Sequence, residues 1–433
     1  MARVVVVGGG FGGLAAAARL ARLGHGVTLL ERAATLGGAL SSVALDGFVW
    51  DAGPTATVMP AVVRDLFRKS GRPLEREVDL VPLDLLREHR FADGTRLPLP
   101  GGSRAAQLVA VEALGPGLGD QWSAYVDGYA DTWELLRRDY LERPWHPDLG
   151  AREVARLLAG RQMLARRLKG AFTDERLRLV AGHPFVADGH DLRNVPAWQG
   201  VTTYVEQRFG AWTVPGGLAA LTRALTARLA TRGVEVRTGT EVRDVVLRDG
   251  RAVAVETDVG RVDADVVVCA VDPRRLPVLA PHVRRTMPAI PPVVCHLGLE
   301  GDVPDLPHEV VLHGDPLIVV RTGGQAPGGG RAWTLHGRGR LAEDVVVALA
   351  RRGLDVRAQI VARVDRSPRD LVDAWGGSPL GVLWQGRGTV RHRLGPTTPV
   401  PGVYAAGAHA VPGSGLPWVG LSAALVAQVV GPP

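Results

Sequence analysis

Residues 3 to 31 leave this chain few ways to fold. Arg3 to Val7 is a short β-branched run that reads as a buried strand, and Gly8-Gly9-Gly10-Phe11-Gly12-Gly13 follows it directly. Leu14, Ala17, Ala18 and Ala21 then recur at helical spacing until Gly24 stops them, and Val27 to Leu30 is a second buried strand closing on Glu31. Gly8, Gly10 and Gly13 satisfy G-x-G-x-x-G. Gly8 permits the tight turn, Gly10 lets backbone approach a pyrophosphate, and Gly13 lets the helix pack closely on the strand. The N–H groups at the helix start, those of Phe11 and Gly12 among them, then meet the phosphates at the positive end of the helix dipole. Glu31, eighteen residues after Gly13, can accept both ribose hydroxyls of an adenosine, with Arg32 beside it. The unit predicts dinucleotide binding without choosing between NAD and FAD.

The same glycines bear on the N-terminus. Met1-Ala2-Arg3 and the apolar residues after it have the outline of a signal peptide, but five glycines between positions 8 and 13 would break the apolar helix a signal needs. No segment reaches the roughly 18 uninterrupted apolar residues of a membrane span. Cys269 and Cys295 show no disulfide framework or metal-ligand spacing, so a cytoplasmic protein is expected, and no metal. Basic residues number 51 and acidic residues 44, a formal charge of +7 carried almost wholly by arginine, since Lys69 and Lys169 are the only lysines. These charges are interleaved along the chain rather than gathered in a stripe. Nucleic acid is therefore not an expected partner, while a peripheral contact with anionic lipid is allowed.

At 433 residues there is room for two lobes. From about 61 to 200 the chain is rich in Leu, Arg and Trp, with helical stretches over Trp122 to Tyr140 and Ala151 to Lys169 and breaks at Pro144, Pro147 and Pro184. This reads as a largely helical cap. An α/β texture then returns: a helix face of Leu218, Leu221, Leu225 and Leu229 stopped by Gly233, a strand from Val234 to Thr238, and runs Glu241 to Leu247 and Ala252 to Thr257 joined by an Asp249-Gly250 turn. Val266 to Ala270 is another buried strand, Gly323 to Gly330 a loose loop and Asp344 to Arg351 a helix. A strand from Val403 to Ala406 and a helix through Leu421, Leu425 and Val429 end the chain.

Beyond Glu31 come Gly37-Gly38-Ala39 and then Asp51-Ala52-Gly53-Pro54-Thr55. This succession resembles the flavin amine oxidase superfamily, where the second strand leads into a Gly-Gly turn and a D-x-G-x segment lies beside the flavin. The D-A-G-P-T string is similar to the carotenoid (phytoene) desaturase and isomerase branch. Ala211-Trp212-Thr213-Val214-Pro215-Gly216-Gly217-Leu218 resembles that family's second block, and Gly239-Thr240-Glu241-Val242 its adenine-contacting turn, which gives Val242 that role by position. The third block is Gly407-Ala408-His409 followed by Pro412-Gly413-Ser414-Gly415-Leu416-Pro417-Trp418-Val419-Gly420, similar to the closing flavin motif. Its final helix would point a positive end at the flavin's electron-rich edge.

The resemblance implies FAD, held by Gly38, Ala39, Gly53, Pro54, Thr55, Gly407, Ala408, Pro417, Trp418 and Val419 in addition to the residues of the first unit. It also implies a Rossmann-like, discontinuous FAD-binding α/β domain of the glutathione reductase and amine oxidase type, with a mixed sheet and helical substrate domain. Its parts are expected at 1–75, 206–285 and 386–433 for the cofactor, with a helical cap at 76–205 and the substrate sheet at 286–385. Two positions depart from the family pattern: Ala39 stands where an arginine usually meets the pyrophosphate, and Trp418 stands where a small residue usually follows the loop proline. Trp418 is accordingly a candidate for narrowing a substrate tunnel.

The implied reaction is desaturation, or related dehydrogenation or isomerisation, of a hydrophobic polyene or isoprenoid, with hydride passing to flavin N5. No catalytic side chain declares itself. His409 adjoins the flavin loop and is a candidate polar contact or proton acceptor, while Arg152 and Glu153 fall roughly where some carotenoid desaturases have an Arg/Asp pair, though a solvated helix face is the stronger reading for them. His183 and His190 read as surface or satisfied core residues. An oxidase of an amine, porphyrinogen or other specialised metabolite is the second reading, and a non-catalytic isoprenoid carrier the third.

Overall fold

Val4 to Val7 are all buried, as a strand covered on both faces requires. In the computed structural model, which describes residues 1–144 and 152–433, this strand (Arg3–Val7) is the centre of a five-stranded parallel sheet. On one side lie Gly26–Leu30 and then Glu235–Arg237, and on the other Val266–Cys269 and then Val403–Ala405. The sheet thus draws on three separated parts of the chain. Helix Phe11–Leu23 crosses between the first two strands and packs against Ala219–Thr231 and the last helix, Leu416–Val430. Its Ala15 to Ala18 are fully buried, and such short side chains let three helices close on one another. Beside this layer, Val242–Arg248, Arg251–Thr257 and Gly260–Asp263 form an antiparallel meander. Its first turn has positive φ at both Asp249 (51°) and Gly250 (75°), the geometry of a two-residue hairpin.

The second lobe is built on a seven-stranded sheet in the order Ile360–Arg366, Val293–Leu299, Arg331–Arg338, Leu317–Arg321, Glu309–Leu312, Leu85–Arg90, Arg96–Pro100. The last two strands correct the expectation of a helical segment there. Leu86, Leu97 and Leu99 alternate inward among polar residues, and this short hairpin signal is masked by the charged run Arg87-Glu88-His89-Arg90. That run is charged because it is clamped: Arg87 pairs with Glu206 (2.7 Å) and Glu309 (2.9 Å), all three nearly out of solvent.

Helices cover the sheet's end around an aromatic core of Trp122, Tyr125, Tyr129, Trp133, Phe172 and Trp198. The stretch from Trp122 to Tyr140 is divided near Gly128 into Leu118–Asp127 and Ala130–Leu136, since glycine is a poor helix former. The stretch beginning at Ala151, a residue outside those described as is Pro147, contains Arg152–Leu158 and Leu164–Ala171. Pro184 does not break its helix. It sits inside Glu175–Ala187, where burial of Leu177, Val180, Ala181 and Phe185 holds the last turn despite the lost N–H. Neither His183 nor His190 is a surface residue: the rings are 4% and 7% exposed, His183 set edge-on to His89 and His190 accepting the Trp384 N–H. Among the described residues there is no cluster able to hold a metal, and no helix is long and apolar enough to cross a membrane.

Candidate active site

Among the described residues the N–H groups of Phe11, Gly12 and Gly13 have no acceptor and no side-chain cap precedes them, so this helix end offers free donors to an anion. Gly13 is closed to any side chain, because a Cβ there would stand 1.9 Å from the Gly8 carbonyl oxygen. Gly10, by contrast, faces open space. Gly12 touches the far end of the chain: its Cβ would meet Gly407 Cα at 2.9 Å and Val419 at 3.2 Å. The Glu31 carboxylate accepts N–H groups from Gly9 (2.6 Å) and Ala33 (2.7 Å), which aim it while leaving lone pairs for further donors.

A cavity of about 520 Å³ opens over these groups. Gly8, Gly10, Phe11, Gly12, Glu31, Gly38, Ala39, Gly53, Pro54, Gly407, Ala408, His409 and Val419 line it. Its other wall is the face of the large sheet and is mostly apolar, with Pro291, Pro292, Val294, Leu317, Val319 and Leu380 interrupted by Arg321, His336, Arg338 and Asp188. Among the described residues lining the cavity, the guanidinium groups are those of Arg321 and Arg338 on the sheet wall, and the glycine-rich end beside Ala39 presents backbone and helix ends.

Other expected residues lie behind or beside this wall. Gly13 is packed under it. Arg32 reaches the carbonyl oxygens of Asp373 and Ala374 and so ties down the helix end that supplies Trp375 to the cavity. Thr55 bonds His308 (3.0 Å), and Val242 packs on the core beneath the parallel sheet. Pro417 opens the final helix, while Trp418 lines a second cavity of about 200 Å³ among Trp133, Tyr140, Trp198 and Trp384. His409 is buried, with Nε2 on the Ser378 carbonyl oxygen (3.0 Å) and Nδ1 3.8 Å from Asp272. Burial lowers its affinity for a proton. Arg152 and Glu153 are on the outer surface and line neither cavity, and Glu153 is 3.9 Å from Arg138.

Asp51, the first residue of the D-A-G-P-T string, holds the site together from behind. It is buried and accepts the N–H groups of Leu218 (3.0 Å) and Ala219 (3.2 Å), joining that string to the second glycine block. Burial raises its pKa, partly offset by these two bonds. No sequence motif singles out Asp188, His336, Arg321 or Arg338. They come from a loop and from sheet positions whose shared face only strand register reveals.

The glycine cradle, the free helix ends and the aimed Glu31 carboxylate fit FAD, and the fold and cavity define a two-lobed FAD-dependent oxidoreductase. Residues 11–431 match the flavin containing amine oxidoreductases, and the chain belongs to that family. Among curated relatives, a hydroxyneurosporene desaturase of Rubrivivax gelatinosus is 28% identical over 99% of this chain and 93% of its own. A 4,4'-diapolycopene oxygenase of Methylomonas is 26% identical over 98% and 97%. A zeta-carotene-forming phytoene desaturase of Myxococcus xanthus is 33% identical over 62% and 53%. Of solved structures, a putrescine oxidase double mutant shares the fold with TM-score 0.72 at 18% identity, covering 99% of this chain and 98% of that one. A fatty acid isomerase from P. acnes does so with TM-score 0.64 at 16% identity, covering 99% and 98%.

Proposed function

We propose that the chain is an FAD-dependent desaturase or dehydrogenase of a hydrophobic polyene or isoprenoid. The observation that carries this reading is the lining of the two cavities. Beyond the glycine-rich end, the larger is walled by proline and branched aliphatic side chains, and the smaller by aromatic ones. A long apolar molecule fits such walls. Its relatives that match nearly end to end carry names of enzymes acting on carotenoid-type compounds. An oxidase of an amine or porphyrinogen is the second reading, and it is less well supported because the relatives matched nearly end to end are named for carotenoid-type compounds.

Bound FAD supplies the two-electron acceptor. The chain's own parts hold it through Glu31, the glycine turns at Gly8–Gly10 and Gly37–Gly38, and the N-terminal ends of helices Phe11–Leu23 and Leu416–Val430. The cofactor lobe is assigned to 1–75, 206–285 and 386–433, and the substrate lobe to 76–205 and 286–385. Trp418 bounds the substrate side, and a peripheral lipid contact suits a substrate that partitions into membranes. Incubating the FAD-loaded protein with a linear polyene and weighing the product tests the reading. A product lighter by one pair of hydrogens per new double bond is expected. Unchanged mass with every polyene, under conditions where another substrate class is oxidised, contradicts it.

A further inference from the structure

The larger and smaller cavities share two lining residues, Gly415 and Asp188, and of these only Asp188 carries a functional group. It follows helix Glu175–Ala187 as its C-cap residue, and its carboxylate makes no hydrogen bond or ion pair among the described residues. Every other acidic side chain lining either cavity is engaged. Glu31 accepts N–H groups from Gly9 and Ala33, and Asp272 accepts Arg274 through backbone and side chain, each at 3.0 Å. The nearby Arg338 is also committed, donating to the carbonyl oxygens of Ala187 (2.8 Å) and Ile290 (2.9 Å), and Arg321 is held by Glu309 (2.9 Å). These bonds fix the loop that presents Asp188 without neutralising it.

We propose that Asp188 is the catalytic proton acceptor of the desaturation, receiving the proton from the substrate carbon placed where the two cavities meet. The inference deepens the polyene-desaturase reading and rests on it. Two C–H bonds on adjacent saturated carbons break. One hydrogen leaves with its electron pair for the flavin. The pair of the other C–H bond stays behind as the new C=C bond, and its proton passes to a carboxylate oxygen of Asp188 and thence to solvent. The substrate loses two electrons, the flavin gains two, and Asp188 ends unchanged.

The surroundings suit a base. Burial pushes the Asp188 carboxyl up to about 6, opposed by Arg338 and Arg321 and reinforced by Glu309. A helix C-terminus adds partial negative charge in the same sense. Among the described residues lining the two cavities, the other titratable groups are His336 on the sheet, His409 beside the glycine-rich end, and His190, Arg393 and Tyr140 on the cap side, and burial lowers the proton affinity of all three histidines. Asp188 is therefore ionised at neutral pH yet holds a proton more readily than an ordinary carboxylate, which is what general-base work favours.

The test uses the FAD-loaded protein, a linear polyene and anaerobic stopped flow. Wild type should reduce its flavin at a rate that rises with pH through an apparent pKa near 6 and then levels. Asp188→Asn should bind FAD with unchanged affinity, lose about 10²–10⁴-fold in the reduction rate, and lose that pH dependence. Asp188→Glu should recover part of both. Infrared titration of the two proteins should show a carboxyl signal with midpoint near pH 6 in wild type that is missing from Asp188→Asn. An Asn variant that keeps the wild-type rate and pH profile overturns the assignment while leaving the desaturase reading intact. Wild-type flavin that no polyene reduces overturns both.

Discussion

Gly13→Ala should yield a protein that purifies without flavin. The new methyl would stand 1.9 Å from the Gly8 carbonyl oxygen, a separation no side-chain rotation can relieve, because the Cβ position is fixed by the Gly13 backbone and the oxygen is backbone too. The helix Phe11–Leu23 must then shift away from the strand Arg3–Val7, and its free N–H groups leave the phosphate position. With no arginine at Ala39 to compensate, affinity depends heavily on that helix end. A loss of at least about 10²-fold in FAD affinity is expected, about 2.7 kcal/mol or more. Titration of apoprotein with FAD, followed by flavin fluorescence, measures it. Wild-type affinity in this variant would show that the turn does not hold the cofactor.

The second large effect concerns stability. Arg87 lies between Glu206 and Glu309, with the three side chains 11%, 10% and 13% exposed. It ties the strand Leu85–Arg90 to the helix Val201–Phe209 and to the strand Glu309–Leu312. Removing Arg87 leaves Glu206 without its buried partner and Glu309 with Arg321 alone, so Arg87→Ala should destabilise the protein by about 3–5 kcal/mol. Guanidinium unfolding at pH 7, read by circular dichroism, provides the number. The pH dependence has a definite sign. Burial alone would raise the Glu309 carboxyl, but Arg321 and Arg87 prevail and hold it far below the usual carboxylate range. A depressed folded-state pKa contributes stability above the unfolded value, about 4.3, and that contribution is lost as pH falls below it. Arg87→Ala should therefore narrow the stability gap between pH 7 and pH 3. A variant as stable as wild type at both pH values would mean the cluster contributes nothing.

The cofactor lobe was legible in the sequence because its constraints are local. Strand, glycine turn, helix and Glu31 lie within one short stretch, and Gly13 answers to the steric demand of nearby Gly8, whereas the contact of Gly12 with Gly407 and Val419 comes from the far end of the chain. The substrate lobe was less legible. Its hairpin Leu85–Arg90 and Arg96–Pro100 carries charges that look solvent-facing and become reasonable only when Glu206 and Glu309, distant in sequence, arrive to pair with Arg87. Pro184 looked like a helix end, and tertiary packing overrode it.

The site divides the same way. Residues of the glycine motifs converge on one cavity as motif spacing implied, whereas Trp418 turns away into the aromatic cavity of the cap. Asp188 had no signal in the sequence at all. It follows Pro184 in an unremarkable Val-Ala-Asp-Gly run, and its meaning comes from the two cavities that meet on it. Arg152 and Glu153 had a position in the family pattern, but the fold sets them on the outside.

A polyene is expected to give up its hydrogens to FAD in this site. Anaerobic mixing of the FAD-loaded protein with a linear polyene, a primary diamine and a porphyrinogen in parallel tests it most directly, with the flavin band at ~450 nm as the signal. Bleaching by the polyene and by neither of the others is expected. Bleaching by the amine or the porphyrinogen, with the polyene inert, would contradict it.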